Sequence, residues 1–201
     1  MSNNVILEGM FVTLRSITVN DAEITFKWRQ SDRASLLNQG AGDVEQQKNW
    51  ISSRPSSEYN FIIELKSGAP LGMLSLVDID NFSKHAETAR FLIGEEDAAK
   101  GVPAAVESMK LLYDFAFGAL ELRRLYGTIS AENHLMIKWQ KYLGMVEEGR
   151  LRKHYYINGK FHDAVYLGIL KEEYLSITLP KMKSLISLAL VKPVSNTQNK
   201  L

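Results

Sequence analysis

A short loop between a strand-like segment and the longest helix-like segment combines residues that suit anion binding. The loop runs from Ile93 through Lys100 and Gly101 to Pro103. The first turn of a helix leaves about four backbone N–H groups without partners and carries roughly half a positive charge, so phosphate binds there. Gly101 has no side chain to block that approach, Lys100 adds charge, and Pro103 suits a first helical turn. The loop therefore predicts a phosphate site or, more simply, the start of a helix.

A carboxylate on the strand before this loop is the candidate catalytic residue. Strict alternation along residues 86–93 places one charge on a mostly apolar face, made of Glu87, Ala89, Phe91 and Ile93. A carboxylate in such surroundings can act as a general base. In the alternative interpretation, Glu87 merely starts the strand and faces water.

The elements that must position these residues alternate between two periodicities. Alternating hydrophobicity predicts a strand and a turn at residues 5–17, and then strands at 59–65, 71–78, 86–93, 125–129, 146–157 and 161–170. Apolar residues spaced by three and four predict helices that start near Asp21, Asp43, Val102 and Ala131. Asn158-Gly159 is a strong hairpin signal. The order predicts a mixed α/β (α+β) fold, with a largely antiparallel central sheet of about six or seven strands and helices on both faces.

A second helix-like segment carries the spacing Asn133-x-x-Met136-x-x-Trp139-x-x-x-Leu143-Gly144-Met145. Together with the glycine loop, the element order and the closing hairpin, it resembles the GCN5-related N-acetyltransferase (GNAT) superfamily over roughly residues 5–175. Within that superfamily it is most similar to the amino-sugar and ribosomal-protein alanine N-acetyltransferases. In the family's loop, Gln or Arg stands three residues before the central glycine, and Gly or Ala two residues after it. Here only Gly101 matches, because Ala98 and Pro103 hold the outer positions.

The resemblance implies that acetyl-CoA, as a co-substrate, lies in a V-shaped splay between two middle strands. Strand backbone would pair with the pantetheine amides, and loop N–H groups would hold the pyrophosphate. The expected contacts are Phe91, Leu92, Ile93, Lys100, Gly101, Val102, Ala104 and Asn133. In the alternative interpretation, Asn133 only caps its helix. No metal is expected, since the four histidines show no ligand spacing.

The proton donor for the leaving thiolate is left open by the sequence. Many members of the family carry a tyrosine seven residues after the helix asparagine, where this chain has Gln140. Glutamine cannot give up a proton. Water is one other donor, and the side-chain candidates are Tyr142, His134, Tyr155 and Tyr156.

Residues of the first two predicted helices suggest the acceptor. Trp28 and Arg29, followed by Trp50, resemble the helix pair of acetyltransferases that act on nucleotide-linked amino sugars. Tryptophan can stack on sugars or bases, and arginine binds phosphate; alternatively, both tryptophans are core residues. The resemblance implies acetyl transfer to a primary amine by direct attack, with a nucleotide-linked amino sugar as the preferred acceptor. The alternatives are a protein N-terminal (ribosomal-protein alanine) acetyltransferase, a polyamine acetyltransferase, and a CoA-binding regulatory module without catalysis.

Composition limits the remaining possibilities. The 201 residues suggest one domain, here residues 1–178, with residues 179–201 as a tail or a short docking helix that could join two copies as a homodimer. The absence of cysteine excludes disulfides and thiolate chemistry, and a net charge of +1 argues against nucleic-acid binding. No apolar run approaches the roughly 18 residues of a membrane span. We therefore expect a cytoplasmic protein that binds a small-molecule amine and no membrane.

Overall fold

A single mixed sheet runs through the computed structural model, which describes residues 4–37 and 40–191. The strand order is β1-β2-β3-β4-β5-β6-β8-β7, and only β5 and β6 are parallel neighbours. The strands are β1 (Ile6–Glu8), β2 (Val12–Ser16), β3 (Tyr59–Leu65), β4 (Pro70–Asp80), β5 (His85–Ile93), β6 (Arg124–Ser130), β7 (Val146–Ile157) and β8 (Lys160–Leu170). The predicted mixed, largely antiparallel fold is confirmed.

The helices follow the apolar spacing of the sequence. They are α1 (Ala22–Arg29), α2 (Val44–Ser52), α3 (Glu96–Ala99), α4 (Ala104–Asp114), α5 (His134–Tyr142), α6 (Lys171–Glu173) and α7 (Leu179–Val191). The predicted hairpin between β7 and β8 turns through Asn158 and Gly159, whose φ angles of +50° and +78° suit a two-residue turn. Within the described part of the chain, every helix is too short or too polar to span a membrane.

The sheet buries apolar side chains on both faces. In β3, Phe61 and Ile63 pack in the larger core together with Leu112 of α4. Between them, Ile62 points to the opposite face and packs in a smaller core with Trp28 of α1. Alternation in a buried strand therefore places α1 and α4 on opposite sides of the sheet, as predicted.

The sheet has eight strands, where the sequence predicted six or seven, because the N-terminal segment forms two strands. Glu107 of α4 holds the turn between them. Its carboxylate is only 4% exposed and accepts hydrogen bonds from the backbone N–H groups of Met10, Phe11 and Val12, at 2.7, 2.7 and 2.8 Å. A buried carboxylate thus finds the donors that its charge requires, and the turn is tied to the core helix.

β5 contains a bulge in the middle of the predicted site. Ala89 pairs with Ser75 of β4, and Leu92 pairs with Met73, so β5 carries one residue more than β4 over this stretch. Arg90 lies in the bulge with a φ of +57°. A left-handed conformation costs a residue other than glycine about 1 to 3 kcal/mol, so the surrounding contacts must hold it.

The bulge makes the predicted alternation along β5 wrong beyond Ala89. Glu87 and Ala89 do share a face, but Leu92 is the next residue on that face. Ile93 packs in the core on the opposite side of the sheet. One extra residue shifts the side-chain period by one, so every later side chain changes face.

The C-terminal helix packs on the body of the protein. α7 lies against α4 and buries Met182 and Ile186. Residues 192–201, the end of the predicted tail, lie outside the described residues. That residues 179–201 join two copies of the protein as a homodimer stays a prediction.

The Glu107→Gln substitution should destabilise the fold. Glutamine keeps one oxygen and brings an amide donor toward three backbone N–H groups, so at least one of them loses its acceptor. We expect the free energy of unfolding in urea to fall by about 2 kcal/mol. The exposed Glu121→Gln should stay within about 0.5 kcal/mol of wild type. Equal effects of the two changes would contradict a special role for Glu107.

Candidate active site

The site begins where two parallel strands part. β5 and β6 pair only through His85–Arg124, Ala86–Leu125 and Glu87–Tyr126. Beyond these pairs, β5 continues along β4 and β6 continues along β8. One backbone edge of β5, from Thr88 onward, therefore has no strand partner. This is the splay that the sequence predicted between two middle strands.

A cavity of about 340 Å³ occupies the opening and is lined from both sides of the sheet. Met109 and Leu112 of α4 line it on the side of the larger core. Asn133, which precedes α5, and Gln140 of α5 lie at the cavity wall. Glu87 lies where the strands part. The structure thus brings the predicted base together with two of the predicted α5 positions.

A chain of three oxygen-bearing side chains crosses this cavity. The hydroxyl of Thr128 on β6 donates to Oε1 of Glu87 at 2.8 Å. The hydroxyl of Tyr155 on β7 lies 2.7 Å from the same Thr128 oxygen. Burial raises the pKa of Tyr155 and the charge of Glu87 adds to this, while the hydrogen bond with Thr128 acts in the opposite direction. The Tyr155 hydroxyl therefore stays protonated at neutral pH.

A second bulge, in β7, precedes Tyr155. Between the pairs Leu151–Ala164 and Tyr155–His162, β7 carries two residues more than β8. Lys153 within this stretch has a φ of +52°. Tyr155 is one of several proton donors that the sequence left open, and Thr128 is not among the residues predicted for the site. A threonine in an ordinary strand pattern carries no signal of this contact, because two strands from distant parts of the chain create it.

Arg90, at the β5 bulge, is held by hydrogen bonds. Its guanidinium donates to Oε2 of Glu58 at 2.9 Å and to Oδ1 of Asn60 at 2.8 Å. Burial alone would raise the pKa of Glu58, but the hydrogen bonds from Arg90 and Asn60 and the charges of Arg90 and Arg54 lower it overall. These contacts offset the cost of the left-handed conformation at Arg90.

A second cavity of about 340 Å³ is cationic on one side. Arg29 and Arg90 line it together with Trp50. The guanidinium carbons of Arg54 and Arg90 lie 4.8 and 5.0 Å from the centroid of the Trp50 ring. Burial, and then the like charge of Arg90, lower the pKa of Arg29. Arg29 also lines the first cavity, so two predicted acceptor residues, Arg29 and Trp50, lie on connected surfaces.

Carboxylates also line the first cavity. Asp78, at a bulge of β4 with a φ of +49°, lines the cavity with Glu87. Burial, and then the charges of Glu87 and Asp78, raise the pKa of neighbouring Tyr126 to about 12. Asp78 and Glu87 line only the first cavity, whereas Arg29 and Arg90 line both. This combination suits a molecule with an amine and a separate anionic group.

Trp28 lies in the smaller core and not at either cavity described above. Its side chain is 1% exposed, and its ring N–H donates to Oε1 of Glu95 at 2.9 Å. An ideal Cβ on Gly94 would lie 2.2 Å from the ring, so the glycine lets the two segments pack closely. The interpretation of Trp28 as a core residue fits this position, because no face of its ring is open to an acceptor.

The loop before α4 has some of the predicted features of a phosphate site. Gly101 has a φ of +78°, and an ideal Cβ there would meet no protein atom within 4 Å. Pro103 precedes α4, whose first turn, beginning at Ala104, receives no side-chain cap. The N–H of Val102, however, already donates to the carbonyl of Ala99, so it is not a free donor. Lys100 is exposed and pairs with Asp97 at 2.7 Å.

The other predicted cofactor residues lie along the splay. Phe91 lines the first cavity, while the side chains of Leu92 and Ile93 are buried on opposite faces, which leaves their backbone for any contact. Asn133 caps α5 by accepting from the N–H of Met136 at 3.2 Å and also lines the cavity. Both of its interpretations are therefore compatible with the geometry.

Gln140 lies at the cavity wall with no partner for its oxygen. The side chain is 5% exposed, and among the described residues no group donates to its Oε1. Ser130, also at this wall, has a buried hydroxyl without a partner in the same part of the chain. Buried polar atoms normally have partners, so these two atoms need a water or a ligand to satisfy them.

The sequence matches one known protein family. A family model described as an acetyltransferase (GNAT) domain matches residues 12–146. The chain belongs to this GNAT acetyltransferase family, and the predicted resemblance is confirmed.

Two curated relatives are similar over part of their length. The spermidine N(1)-acetyltransferase of Escherichia coli (strain K12) is 32% identical over 120 residues, which are 60% of this chain and 62% of that protein. A Bacillus subtilis (strain 168) protein provisionally named ribosomal N-acetyltransferase YdaF is 34% identical over 110 residues, 55% of this chain and 58% of that protein. The chain thus spans about three fifths of the length of these relatives.

A solved structure shares the fold. The spermidine N-acetyltransferase of Vibrio cholerae, in complex with CoA and spermine, matches with a TM-score of 0.72 and 23% identity. The match covers 82% of this chain and 98% of that chain.

The Glu58–Arg90 pair should make stability depend on acidity. The pKa of Glu58 is lowered in the folded protein, so the pair stabilises the fold fully above the unfolded pKa of roughly 4.3, and this contribution is lost as pH falls through the folded pKa. We expect wild type to exceed Glu58→Gln in unfolding free energy by about 1 to 3 kcal/mol at pH 6. The difference should shrink toward pH 3 in urea unfolding. A difference that does not change with pH would contradict the pairing.

Proposed function

We propose that this protein is an acetyl-CoA-dependent N-acetyltransferase that acts on a primary amine. The observation that supports this most directly is the position of Glu87. Its carboxylate lies at the last paired position of β5 and β6, on the wall of the cavity that fills the splay. A base at this point can reach a group that enters the opening.

The described residues fit acetyl-CoA as a co-substrate, which supplies an acetyl group activated as a thioester. The unpaired edge of β5 offers backbone donors and acceptors to the amides of an extended chain. The uncapped first turn of α4 and the open space at Gly101 suit a pyrophosphate. The unpartnered polar atoms of Ser130 and Gln140 lie on the same cavity wall.

Glu87 would remove a proton from the acceptor amine as its nitrogen attacks the thioester carbon. An amine with a pKa near that of an α-amino group, roughly 8, is about one-tenth neutral at pH 7, so a modest base suffices. Asp78, at the same end of the cavity, adds negative charge that attracts the ammonium form. The backbone of the β5 bulge is the candidate donor to the thioester oxygen.

For the acceptor we propose an amine on an anionic body, of which a nucleotide-linked amino sugar is one example. The support is the charge distribution across the cavities. Arg29 and Arg90 line both cavities and could bind a phosphate or carboxylate, whereas Glu87 lines only the first. Trp50 adds an aromatic face beside the arginines.

A polyamine is the second candidate, because relatives include the spermidine N(1)-acetyltransferase of Escherichia coli. Asp78 and Glu87 suit one ammonium group. Toward the second cavity, the other ammonium of an extended polyamine would meet the positive charges of Arg29 and Arg90, which repel it, although the pairing with Glu58 weakens the effect of Arg90. A protein N-terminus is a further candidate acceptor, because one relative is named as a ribosomal N-acetyltransferase. A CoA-binding module without catalysis is another alternative, because Gln140 cannot donate a proton.

Glu87→Gln should remove most of the activity without removing CoA binding. The amide keeps the size of the side chain but cannot accept the amine proton, so we expect kcat to fall by about 10²- to 10⁴-fold. Free-thiol release measures turnover, and calorimetry with coenzyme A measures binding. Wild-type turnover in the variant would exclude Glu87 as the base. An absence of any heat with coenzyme A, for variant and wild type alike, would contradict the proposed function itself.

Arg29→Gln should discriminate between acceptor classes. For an anionic amine we expect the KM to rise about tenfold or more with a small change in kcat, because a charge-assisted contact is lost. The assay compares a nucleotide-linked amino sugar, spermidine and a peptide with an N-terminal alanine. Arg123→Gln, an exposed change outside the two cavities described above, is the matched control. Efficient turnover of spermidine alone, with no increase in its KM in Arg29→Gln, would contradict an anionic acceptor.

A further inference from the structure

The reaction proposed above needs a proton for the departing sulfur. Gln140 stands at the cavity wall, at the position where the family resemblance implies a tyrosine, and an amide cannot serve as an acid. Tyr155 lines the same cavity from β7, and its hydroxyl is linked to Glu87 through Thr128. The site therefore holds a donor hydroxyl that is connected to the proposed base.

The direction of this hydrogen-bond chain depends on Glu87. A threonine hydroxyl carries one proton, and an ionised carboxylate only accepts. While Glu87 is ionised, Thr128 donates to it at 2.8 Å. The Tyr155 hydroxyl then donates its one proton toward Thr128, where the hydroxyl oxygen lies 2.7 Å away and the backbone carbonyl oxygen 3.1 Å away. If Glu87 is protonated, it becomes a donor. Thr128 can then accept from Glu87 and donate to Tyr155, which frees the Tyr155 proton.

We propose that Thr128 relays a proton from Glu87 to Tyr155, and that Tyr155 is the acid that protonates the leaving sulfur. This inference rests on the proposed function and deepens it. Tyr155 is the candidate catalytic residue, because it lines the cavity in which the reaction would take place. Thr128 acts through the other two side chains and serves as a positioning and relay residue.

The steps balance without any other reactant. The amine nitrogen forms a bond to the acetyl carbon, and Glu87 takes the N–H proton. The carbon–sulfur bond breaks with its electron pair on sulfur, which takes the proton of Tyr155. Tyr155 is refilled from Thr128, and Thr128 from Glu87. All three side chains return to their starting protonation states, and the products are an amide and a free thiol.

The relay explains how a buried tyrosine can act as an acid here. Burial and the charge of Glu87 raise the pKa of Tyr155 above its ordinary value, so on its own it gives up a proton reluctantly. Carboxylic acids are stronger acids than thiols, so net transfer of a proton to the thiolate is favourable. Since Tyr155 is refilled as it donates, the carboxylic acid drives the net transfer.

Other titratable groups surround the chain and must be considered in any pH profile. The ring of His154 lies 4.7 Å from that of Tyr155, centroid to centroid, and both line the cavity. Asp78 on β4 lines the same cavity. Burial, and then the charges of Glu87 and Asp78, raise the pKa of Tyr126 on β6. None of these groups lies between the three side chains of the relay, because Thr128 contacts Glu87 and Tyr155 directly.

The test compares Thr128→Val, Thr128→Ser and Tyr155→Phe in the full chain. Valine keeps the shape of threonine and removes the hydroxyl, whereas serine keeps the hydroxyl. We expect Thr128→Val and Tyr155→Phe each to lower kcat by about 10²-fold, with KM and the Kd for coenzyme A within about threefold of wild type. Thr128→Ser should recover most of the rate. The double variant Thr128→Val/Tyr155→Phe should be no slower than the slower single variant.

A proton inventory separates a relay from a structural role. In mixtures of light and heavy water, kcat of wild type should depend on deuterium content along a curve, because several protons move together. Thr128→Val should give a straight line or no effect. Thr13→Val, on β2 and outside the two cavities described above, is the matched control and should behave as wild type. Thermal unfolding of every variant checks that the fold is intact.

Four results would overturn the relay: wild-type kcat in Thr128→Val, wild-type kcat in Tyr155→Phe, a Thr128→Ser variant as slow as Thr128→Val, or multiplied losses in the double variant. A wild-type protein that binds coenzyme A but turns over no amine would instead overturn the proposed function, and the relay with it. The two failures are thus distinguishable, because only the first leaves an active wild-type enzyme.

Discussion

The early end of the pairing between β5 and β6 is the constraint on which the site depends. After Glu87–Tyr126, each strand follows its other neighbour, and the sheet opens. A gap in a sheet exposes backbone groups that must find partners, so it is costly unless a ligand or side chains fill it. Here side chains of α4 and α5 close part of the gap, and Glu87 lies where it begins. The cavity, the base and the unpaired edge therefore have one cause.

Backbone bulges then direct the polar side chains at this opening. Asp78, Arg90 and Lys153 all have left-handed φ angles, in three different strands around the cavity. Each conformation is unfavourable for these residue types, and contacts such as the pairing of Arg90 with Glu58 hold it. The lining of the cavities thereby includes both carboxylates and arginines. The bulges thus break the regular alternation of side chains in several strands at the place where polar groups must face the cavity.

Local patterns in the sequence were sufficient for most of the fold. The helix and strand periods, the Asn158–Gly159 turn and the order of elements predicted the sheet and its hairpin, because these features depend on neighbours within a few residues. The same reasoning identified Glu87 as a candidate at the splay. It missed the eighth strand, since the turn before β2 is held by Glu107 from a distant helix. It placed Ile93 on the wrong face, because a bulge leaves no periodic signal.

By itself, then, the sequence determined the family, the succession of elements and the position of the glycine loop before α4, all of which follow from local spacing and residue type. Only the tertiary structure decided which side chains meet. It buried Trp28 in the smaller core, used the N–H of Val102 inside the loop, and joined Thr128 to Tyr155 and Glu87. Contacts of this kind depend on strand register and on bulges, which arise when distant segments pack together, so no local pattern encodes them.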